Sequence, residues 1–373
     1  MSDSASTFED PTALFFEIPA LLQAKVWQTH TVLGDSVTHW QAYLNDLTLQ
    51  VLLPWVQAYD AQAQVMPQPL PYWTVVTGTA LTVAGQRWVL IPAESDDLQV
   101  PQEWVDIPQW RADYYLAVTV DLAQHQLRVW AWATHHQLKT QGQYYSPDRT
   151  YSLHELDLVT DLGALWAVTA GCLTLDEPTL APVPLLPVLT TTQAHSLLQR
   201  LAQSLLPRLE VPFALWGSLL AHGGWRQALY EGRQGLPEQW SLPQWLRGGV
   251  SPLGQAWGWL QVSVLAESRD QEVPKATFVR PLQILNQEYE LRVLPLGLGW
   301  RFQLRPVLYA GQIPTGFVLS LWTEDQQSFA GNIAHADAPV PVLYIDVALE
   351  PGEGIIWQVE PTPAAYCQEI LRF

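Results

Sequence analysis

The spacing of apolar residues predicts two helices near the start of the chain. In SVTHWQAYLNDLTLQVLLPWVQAYD, apolar side chains recur at steps of three and four, the period of one helix face. The members of this stripe are Trp40, Tyr43, Leu44, Leu47, Val51, Trp55 and Tyr59. An earlier helix is predicted over residues 20–30. Pro54 is expected to bend the second helix or end it early, because proline has no backbone N–H to donate.

Alternating runs then predict two β-hairpins. WTVVTGTALTVAGQRWVLIP holds two β-rich runs around Gly85. Further on, Tyr114–Val120 and Gln126–Ala133 alternate, with residues 121–125 between them as the turn. Trp130 and Trp132 are two residues apart in the second run. Because side chains two apart on a strand share a face, these rings are expected to pack together.

The later pattern predicts an α+β fold with three parts. Prolines at 182, 184 and 187 mark a stiff linker, after which helical patterns follow. From about Trp257 the chain reads as short strands separated by Gly, Pro and Asn turns, which is typical of a sandwich. We therefore predict an α+β domain over 1–180, with N-terminal helices on an antiparallel sheet. A helical segment over 181–250 and a C-terminal β-sandwich over 251–373 follow it.

Charge restricts the classes of partner. The net charge is −18, and residues 1–110 hold 12 acids against only two bases. A field of this sign repels phosphate backbones and anionic lipid surfaces, so neither nucleic acid nor a membrane is expected as a partner. With 48% hydrophobic and 14% charged residues, the chain is expected to be globular.

Three features predict a cytoplasmic protein. The first residues, MSDSASTFEDP, are acidic, the reverse of a secretory signal. The two cysteines, Cys172 and Cys367, show no CxxC spacing and are typical of structural thiols in a reducing compartment. The longest strongly apolar run, residues 162–175, is too short to span a bilayer.

Thr134, His135 and His136 raise the question of a metal site at the end of the tryptophan-rich run. If both histidines continue the strand, their side chains point to opposite faces and cannot easily bind one ion. No HExxH or paired-cysteine spacing supports zinc. We therefore expect these residues to finish the hairpin, with one ring partly packed and the other solvated.

Other candidate reactive groups have structural explanations in the sequence. Cys172 lies in the apolar run ALWAVTAGCLTL, where a cysteine usually serves as a small core residue. Asp148 and Arg149 are expected to close a turn, although Glu155 and Asp157 on one strand face would suit acid/base chemistry. GxSxG, GxGxxG and Walker patterns are absent from the sequence. The sequence thus predicts no catalytic residue, no cofactor and no metal ligand.

The 19 tryptophans are the most unusual feature of the composition. Most are expected in the core, because each buried indole removes a large apolar area from water. A minority at the surface would anchor a protein partner or stack on sugar rings. The candidate interaction residues are Trp130, Trp132, Trp257, Trp259 and Trp322.

Several blocks of the chain resemble a known family. The blocks AYLNDLTLQVLLPWV, RWVLIP, VPQEWVDIPQWRADYYLAV, VWAWATHHQLK, DRTYSL, GGWRQALYEGRQ and SLPQWL are similar to the cyanobacterial family catalogued as domain of unknown function 1822. The resemblance runs from about residue 35 to the C-terminus. It implies a cytoplasmic cyanobacterial protein without an established activity, associated with signalling genes, and it supplies no catalytic residues.

These patterns favour a non-enzymatic regulatory or scaffolding protein that binds a protein partner through an acidic, tryptophan-rich surface. One alternative is a carbohydrate-binding module that uses tryptophans such as Trp257 and Trp322. Another is a hydrolase with an unrecognised active site, assembled for example from Asp148, His154 and Cys172.

Overall fold

The chain forms two compact units in the computed structural model. The first consists of residues 1–188 and 197–221, and the second of residues 189–196 and 222–373. The structure describes residues 13–31, 33, 36–66, 69–236, 238–264, 275–297, 299–308, 311–324, 326–350, 352–364 and 366–373. Residues 1–12, which carry the targeting prediction, lie outside the described residues.

The first unit is a mixed α+β structure. In chain order its elements are β1 (Leu14–Glu17), α1 (Ala20–His30), α2 (Ser36–Tyr59), β2 (Gln64–Val65), α3 (Leu70–Trp73), β3 (Thr79–Val83), β4 (Gln86–Ala93), β5 (Gln99–Pro101), α4 (Gln102–Asp106), β6 (Tyr114–Asp121), β7 (Gln126–Thr134), α5 (His135–Thr140), β8 (Gln143–Tyr145), β9 (Thr150–Ser152), a 3-10 turn (Glu155–Asp157) and α6 (Leu162–Thr169). Helix α7 (Thr191–Leu201) begins in the second unit, and its residues from 197 belong to the first, as do α8 (Pro207–Glu210) and α9 (Phe213–Ala221).

Its main sheet has the strand order β1-β7-β6-β4-β3-β2. All neighbours pair antiparallel except β4 and β6, which are parallel. The prediction of an antiparallel sheet is therefore wrong for this pair. A parallel pair needs a crossover connection, and residues 94–113, which include β5 and α4, provide it.

The long helix α2 packs on strands β3, β4 and β6, and the helices predicted near the start of the chain are confirmed. Contrary to the expectation of an early end, α2 continues past Pro54 to Tyr59. Polar Asn45 is also buried in this helix. Its carboxamide oxygen accepts from the Gly78 N–H at 2.7 Å, and its nitrogen donates to the Val76 oxygen at 3.2 Å. Asn45 thereby holds the segment before β3 against the helix.

Both predicted hairpins are present, but the second contains a β-bulge. Strands β3 and β4 are joined by Ala84 and Gly85, both with positive φ, the geometry of a tight two-residue turn. In the β6–β7 pair, Ala131 opposes Ala117 and Val129 opposes Val118, so Trp130 has no cross-strand partner. The extra residue interrupts the alternation on which the predicted packing of Trp130 against Trp132 depended. No ring contact joins these two described residues, and Trp132 instead packs edge-on against Tyr114.

Residues 197–221 are joined to the rest of the first unit by a buried ion pair. The Glu103 side chain is fully buried, and its two oxygens accept hydrogen bonds from the Arg208 guanidinium at 3.0 and 2.8 Å. The Trp216 indole donates to the same carboxylate at 2.7 Å. Since Arg208 and Trp216 both belong to this late segment, α8 and α9 complete the core that α4 begins.

The second unit is a sandwich of two antiparallel sheets. After α10 (Gly223–Arg233), α11 (Leu242–Gly248) and α12 (Pro252–Ala256), its strands are β10 (Leu260–Val264), β11 (Lys275–Ile284), β12 (Gln287–Leu296), β13 (Gly299–Pro306), β14 (Val318–Thr323), β15 (Ile333–His335), β16 (Leu343–Val347), β17 (Gly354–Glu360) and β18 (Ile370–Arg372). The sheets have the orders β10-β11-β12-β13-β16 and β15-β14-β17-β18. Residues such as Phe278 and Phe302 from the first sheet share one core with Leu319 and Trp357 from the second.

A buried carboxylate lies in this core. Glu369 is 2% exposed, and one of its oxygens accepts from the Trp259 and Trp357 indoles at 2.7 and 3.2 Å. The Nε of Arg280 lies 3.4 Å from the other oxygen. Burial opposes ionisation more strongly than Arg280 and the indole donors favour it, and so raises the pKa of Glu369 to about 7.

The α+β class and the C-terminal sandwich are confirmed. The compact units place α9 with the first unit and α10 with the second, while the three-domain division at residues 180 and 250 stays a prediction. Among the described residues, no helix combines the length and apolar character needed to cross a bilayer.

Candidate functional site

The paired histidines lie at the start of a helix and not on a strand. Strand β7 ends at Thr134, and His135 and His136 are the first residues of α5. Thr134 caps this helix: its hydroxyl accepts from the Gln137 N–H at 3.1 Å, while the Gln137 side chain accepts from the Thr134 N–H at 2.8 Å. The prediction that both histidines finish the strand is therefore wrong, because this capping box turns the chain into a helix.

His135 is fully buried, where a partly packed or solvated ring was expected. Its Nε2 donates to the Val105 oxygen at 2.8 Å, and its Nδ1 accepts from the Ala181 N–H at 3.0 Å. Burial lowers the pKa of this ring, which fits the neutral form. His136 lies 3.2 Å from Glu177. Within the described part of the chain, no group of three or more His, Cys, Asp or Glu residues is arranged to hold a metal ion.

We expect Thr134→Ala to lower the free energy of unfolding by about 1 kcal/mol, the usual effect of losing a helix cap. Thr134→Ser keeps the capping oxygen and should retain most of the stability. Urea unfolding followed by circular dichroism measures the difference. Thr140→Ala, at the exposed last residue of α5, is the control. Equal stability of the alanine and serine variants at position 134 would contradict this role for the cap.

The proposed hydrolase residues take part in local structure. Asp148 accepts from the Thr150 hydroxyl at 2.7 Å, in the predicted turn between β8 and β9. The His154 Nδ1 accepts from the Leu156 N–H. Cys172 is exposed, where a core position was expected, because α6 ends at Thr169 and the chain leaves the core. No hydrogen bond joins any two of these three described residues.

Glu155 and Asp157 do not form the expected acid pair on a strand face. They lie at the two ends of a single 3-10 turn, and its three residues are all exposed. Their side chains therefore lack the shared strand face that the acid/base interpretation required.

Of the five candidate interaction tryptophans, four are buried. Trp130, Trp132, Trp257 and Trp259 are all at most 7% exposed, whereas Trp322 is half-buried. Trp132 donates to the Asp161 oxygen at 2.9 Å, and Trp259 donates to Glu369. An interaction at these five residues stays a prediction, but in this structure only Trp322 offers a partly accessible ring.

An acidic, aromatic groove lies elsewhere, on the first unit. One wall is the first part of α2, and the other is the end of β4 and the residues after it. The groove has a volume of about 510 Å³. We define the acidic groove by the residues Val37, Trp40, Gln41, Leu44, Thr77, Pro92, Ala93 and Glu94. An adjoining depression of about 240 Å³ shares Gln41, Thr77, Pro92 and Ala93 and extends to Asp97.

Aromatic side chains surround one end of the acidic groove. Trp40 is half-buried and contacts Tyr43, with ring centroids 5.5 Å apart. Trp27 of α1 packs edge-on against both rings, at 6.2 Å from Trp40 and 5.1 Å from Tyr43. Trp27 is 42% exposed and Val37 is 58% exposed. Trp27 and Val37 are thus exposed apolar side chains at and beside the groove, and Trp40 is partly accessible. Exposed apolar side chains of this kind are typical of binding sites.

Acidic side chains lie at the edge of the acidic groove, at Glu94, and in the adjoining depression, at Asp97. Glu94 and Asp97 are exposed, and among the described residues neither pairs with a cation. Their neighbour Asp96 differs, because it pairs with Arg128 at 2.5 Å. Arg208 lines the adjoining depression, but its guanidinium is already paired with Glu103. The acidic groove is therefore apolar along its walls and anionic at its edge.

The apolar spacing places Trp40 and Leu44 in one packed stripe of α2 and gives no indication of the acidic groove. Leu44 is buried as predicted, but Trp40 lies near the start of the helix, where the groove leaves it half-covered. The acidic run AESDD after β4 was the available indication. However, the sequence did not show that β4 packs on α2, and it is this packing that brings the acidic run next to Trp40.

One of three comparisons with known proteins identifies a relationship. The model of a family described as "Protein of unknown function (DUF1822)" matches residues 16–372. No curated protein and no solved structure matches the chain.

Proposed function

The chain belongs to the DUF1822 family, whose description assigns no activity, and from its geometry we propose a non-enzymatic regulatory or scaffolding protein that binds a protein partner. The acidic groove is the proposed binding surface. The observation that carries this proposal is the combination of solvent-open Trp27, Trp40 and Val37 with the unpaired rim acids Glu94 and Asp97.

The proposed occupant is a basic, amphipathic segment of a protein. Its apolar side chains would cover Trp40 and Val37, and tryptophan is among the residues that contribute most to binding at protein interfaces. Its Lys or Arg side chains would pair with Glu94 and Asp97. The net charge of −18 would also attract such a segment at long range and make association sensitive to salt. The same charge opposes nucleic acid as a partner.

The cellular setting is part of the proposal. We place the protein in the cytoplasm of a cyanobacterium, in a signalling context, as the family resemblance of its sequence blocks implies. The carbohydrate alternative is less well supported, because Trp257, one of its two proposed stacking residues, is 5% exposed.

Labelled peptides test the proposal by fluorescence anisotropy. The probe is a synthetic helical peptide with leucines at positions i, i+3, i+4 and i+7 and lysines elsewhere, and its counterpart carries glutamates instead of lysines. We expect the lysine peptide to bind, and to bind more weakly as salt is raised. Trp40→Ala should weaken it by about 30-fold, a change of about 2 kcal/mol that is typical of a central interface tryptophan.

Two further variants make this test specific. Glu94→Lys combined with Asp97→Lys changes only exposed side chains and should abolish the preference for the lysine peptide. Trp322→Ala, which removes a half-buried tryptophan from the second unit, is the matched control and should leave binding unchanged. Equal binding of both peptides, or equal loss with Trp322→Ala and Trp40→Ala, would refute the acidic groove as the binding surface.

A further inference from the structure

The second unit contains a cavity that the proposed protein-binding surface does not use. Its volume is about 610 Å³, within the range of small-molecule sites. Phe329, Leu349 and Ile355 contribute apolar walls, while Thr191, His195 and Glu353 contribute polar groups. The side chain of Glu324 also lines the cavity.

Glu324 is fixed in place from several directions. Its side chain is 5% exposed, and Arg372 binds it with both terminal nitrogens, at 2.9 and 2.7 Å. The Trp225 indole donates to it at 3.0 Å. His222 donates through Nε2 to the backbone oxygen of Glu324 at 2.9 Å, and burial lowers the pKa of His222 to about 4, so this ring is neutral. Glu324 therefore provides a rigid anionic group at the cavity wall.

Gly354 allows the backbone of β17 to pass close to this carboxylate. A Cβ atom at Gly354 would lie 2.9 Å from Glu324 Oε2 and 2.7 Å from Ile370 Cγ2. A larger residue there would force the Ile370 side chain, the Glu324 carboxylate or both to shift. The absence of a side chain at Gly354 thus leaves room for the Glu324–Arg372 pair.

His195 connects the fixed carboxylate to the open space. Its Nε2 lies 3.3 Å from Glu324 Oε1, and its side chain is 45% exposed. Burial would raise the pKa of Glu324, but Arg372, together with Trp225 and His195, outweighs this effect and holds that pKa below its ordinary value. An ionised carboxylate favours the proton on Nε2 of a neighbouring imidazole. The Nδ1 atom of His195, which has no partner among the described residues, then offers a lone pair.

The charges around the cavity select against an anion. Four of the five N–H groups of Arg372 are directed at Glu324, Glu238 or the Gly352 oxygen, and the fifth faces the edge of the His195 ring. Arg372 is thus unable to receive a ligand carboxylate or phosphate without losing these bonds. Glu324, Glu238 and Glu353 outnumber it, so the local field is negative.

We infer that this cavity binds a small organic ammonium ion with an apolar body. The ammonium group donates to Nδ1 of His195 and to the Glu353 carboxylate, and the apolar body lies against Phe329, Leu349 and Ile355. Glu324 and Arg372 orient His195 and do not themselves bind the ammonium group.

Three probes of similar size test the inference on the full chain. They are 2-phenylethylammonium, 2-phenylethanol and 3-phenylpropionate, and titration calorimetry measures their binding. We expect the ammonium ion to bind about tenfold or more tightly than the other two, as a charged hydrogen bond predicts. The proton resonance on Cε1 of His195, assigned by its loss in His195→Ala, should shift during the titration.

Substitutions locate the binding site. Glu353→Gln changes an exposed side chain and should weaken the ammonium probe about tenfold. Glu288→Gln removes an exposed carboxylate on β12, away from the cavity lining, and should leave affinity unchanged. A preference for phenylpropionate, equal binding of all three probes, no binding at the solubility limit, or equal effects of the two Glu→Gln variants would overturn the inference.

Discussion

Replacing Glu103 by alanine is expected to lower the free energy of unfolding of the first unit by about 3–5 kcal/mol, the usual effect of breaking a buried ion pair. The variant leaves the Arg208 guanidinium, whose side chain is only 18% exposed, without its anionic partner. The Trp216 indole also loses its acceptor. Urea unfolding of the full chain, followed by tryptophan fluorescence, measures the change.

A second ion pair of the same unit provides the control for this prediction. Arg200 and Glu210 pair at 3.0 Å, but both side chains are far more accessible to water than those of Glu103 and Arg208. Glu210→Ala should therefore leave the unfolding midpoint almost unchanged, because exposed ion pairs contribute little. If Glu103→Ala and Glu210→Ala shift the midpoint equally, burial is not what makes the Glu103–Arg208 pair important.

We expect the free energy of unfolding of Glu369→Gln to gain about 3 kcal/mol on that of the unsubstituted chain as the pH rises from 4.5 to 7. Burial raises the pKa of Glu369 from 4.5 in the unfolded chain to about 7 in the folded one. The folded state therefore holds its proton longer. The contribution of the Glu369 carboxyl to stability is present below pH 4.5 and is lost as the pH rises through 7. The glutamine variant has no carboxyl to ionise and does not undergo this loss.

The difference between the two chains is the informative quantity, because other groups titrate in the same range. Burial also raises the pKa of Glu231 to about 7, while it lowers that of His222 to about 4, which affects stability in the opposite direction. Urea unfolding at several pH values between 4.5 and 8 gives the difference. Glu288→Gln, at an exposed position, controls for the loss of one negative charge. A difference for Glu369→Gln that does not change with pH would contradict the argument.

Much of the fold was predictable because local patterns determine it. The period of α2, the turn at Gly85 and the short strands after Trp257 each depend on neighbouring residues, and the structure contains the corresponding elements. The parallel pairing of β4 with β6 was not predictable, since it depends on the crossover of residues 94–113. The bulge at Trp130 was also missed, because alternation alone does not show an extra residue in one strand.

The candidate sites were harder to predict than the fold, because each joins residues far apart in the sequence. His135 illustrates this: its two ring nitrogens bond to backbone atoms of Val105 and Ala181, about 30 and 46 residues away, neither of which a local pattern indicates. The acidic groove likewise joins Trp40 to Glu94. Composition drew attention to tryptophan and acidic charge, but the local pattern did not show which tryptophans the fold leaves open.

The return of residues 197–221 to the first unit has a consequence for synthesis on the ribosome. A nascent chain that has emerged only as far as residue 188 contains Glu103 but lacks both Arg208 and Trp216. Its α4 region can bury the Glu103 carboxylate only without its counter-ion until residues 208–216 have also emerged. The amino-terminal half is therefore expected to remain incompletely folded until residues 197–221 are available to complete it.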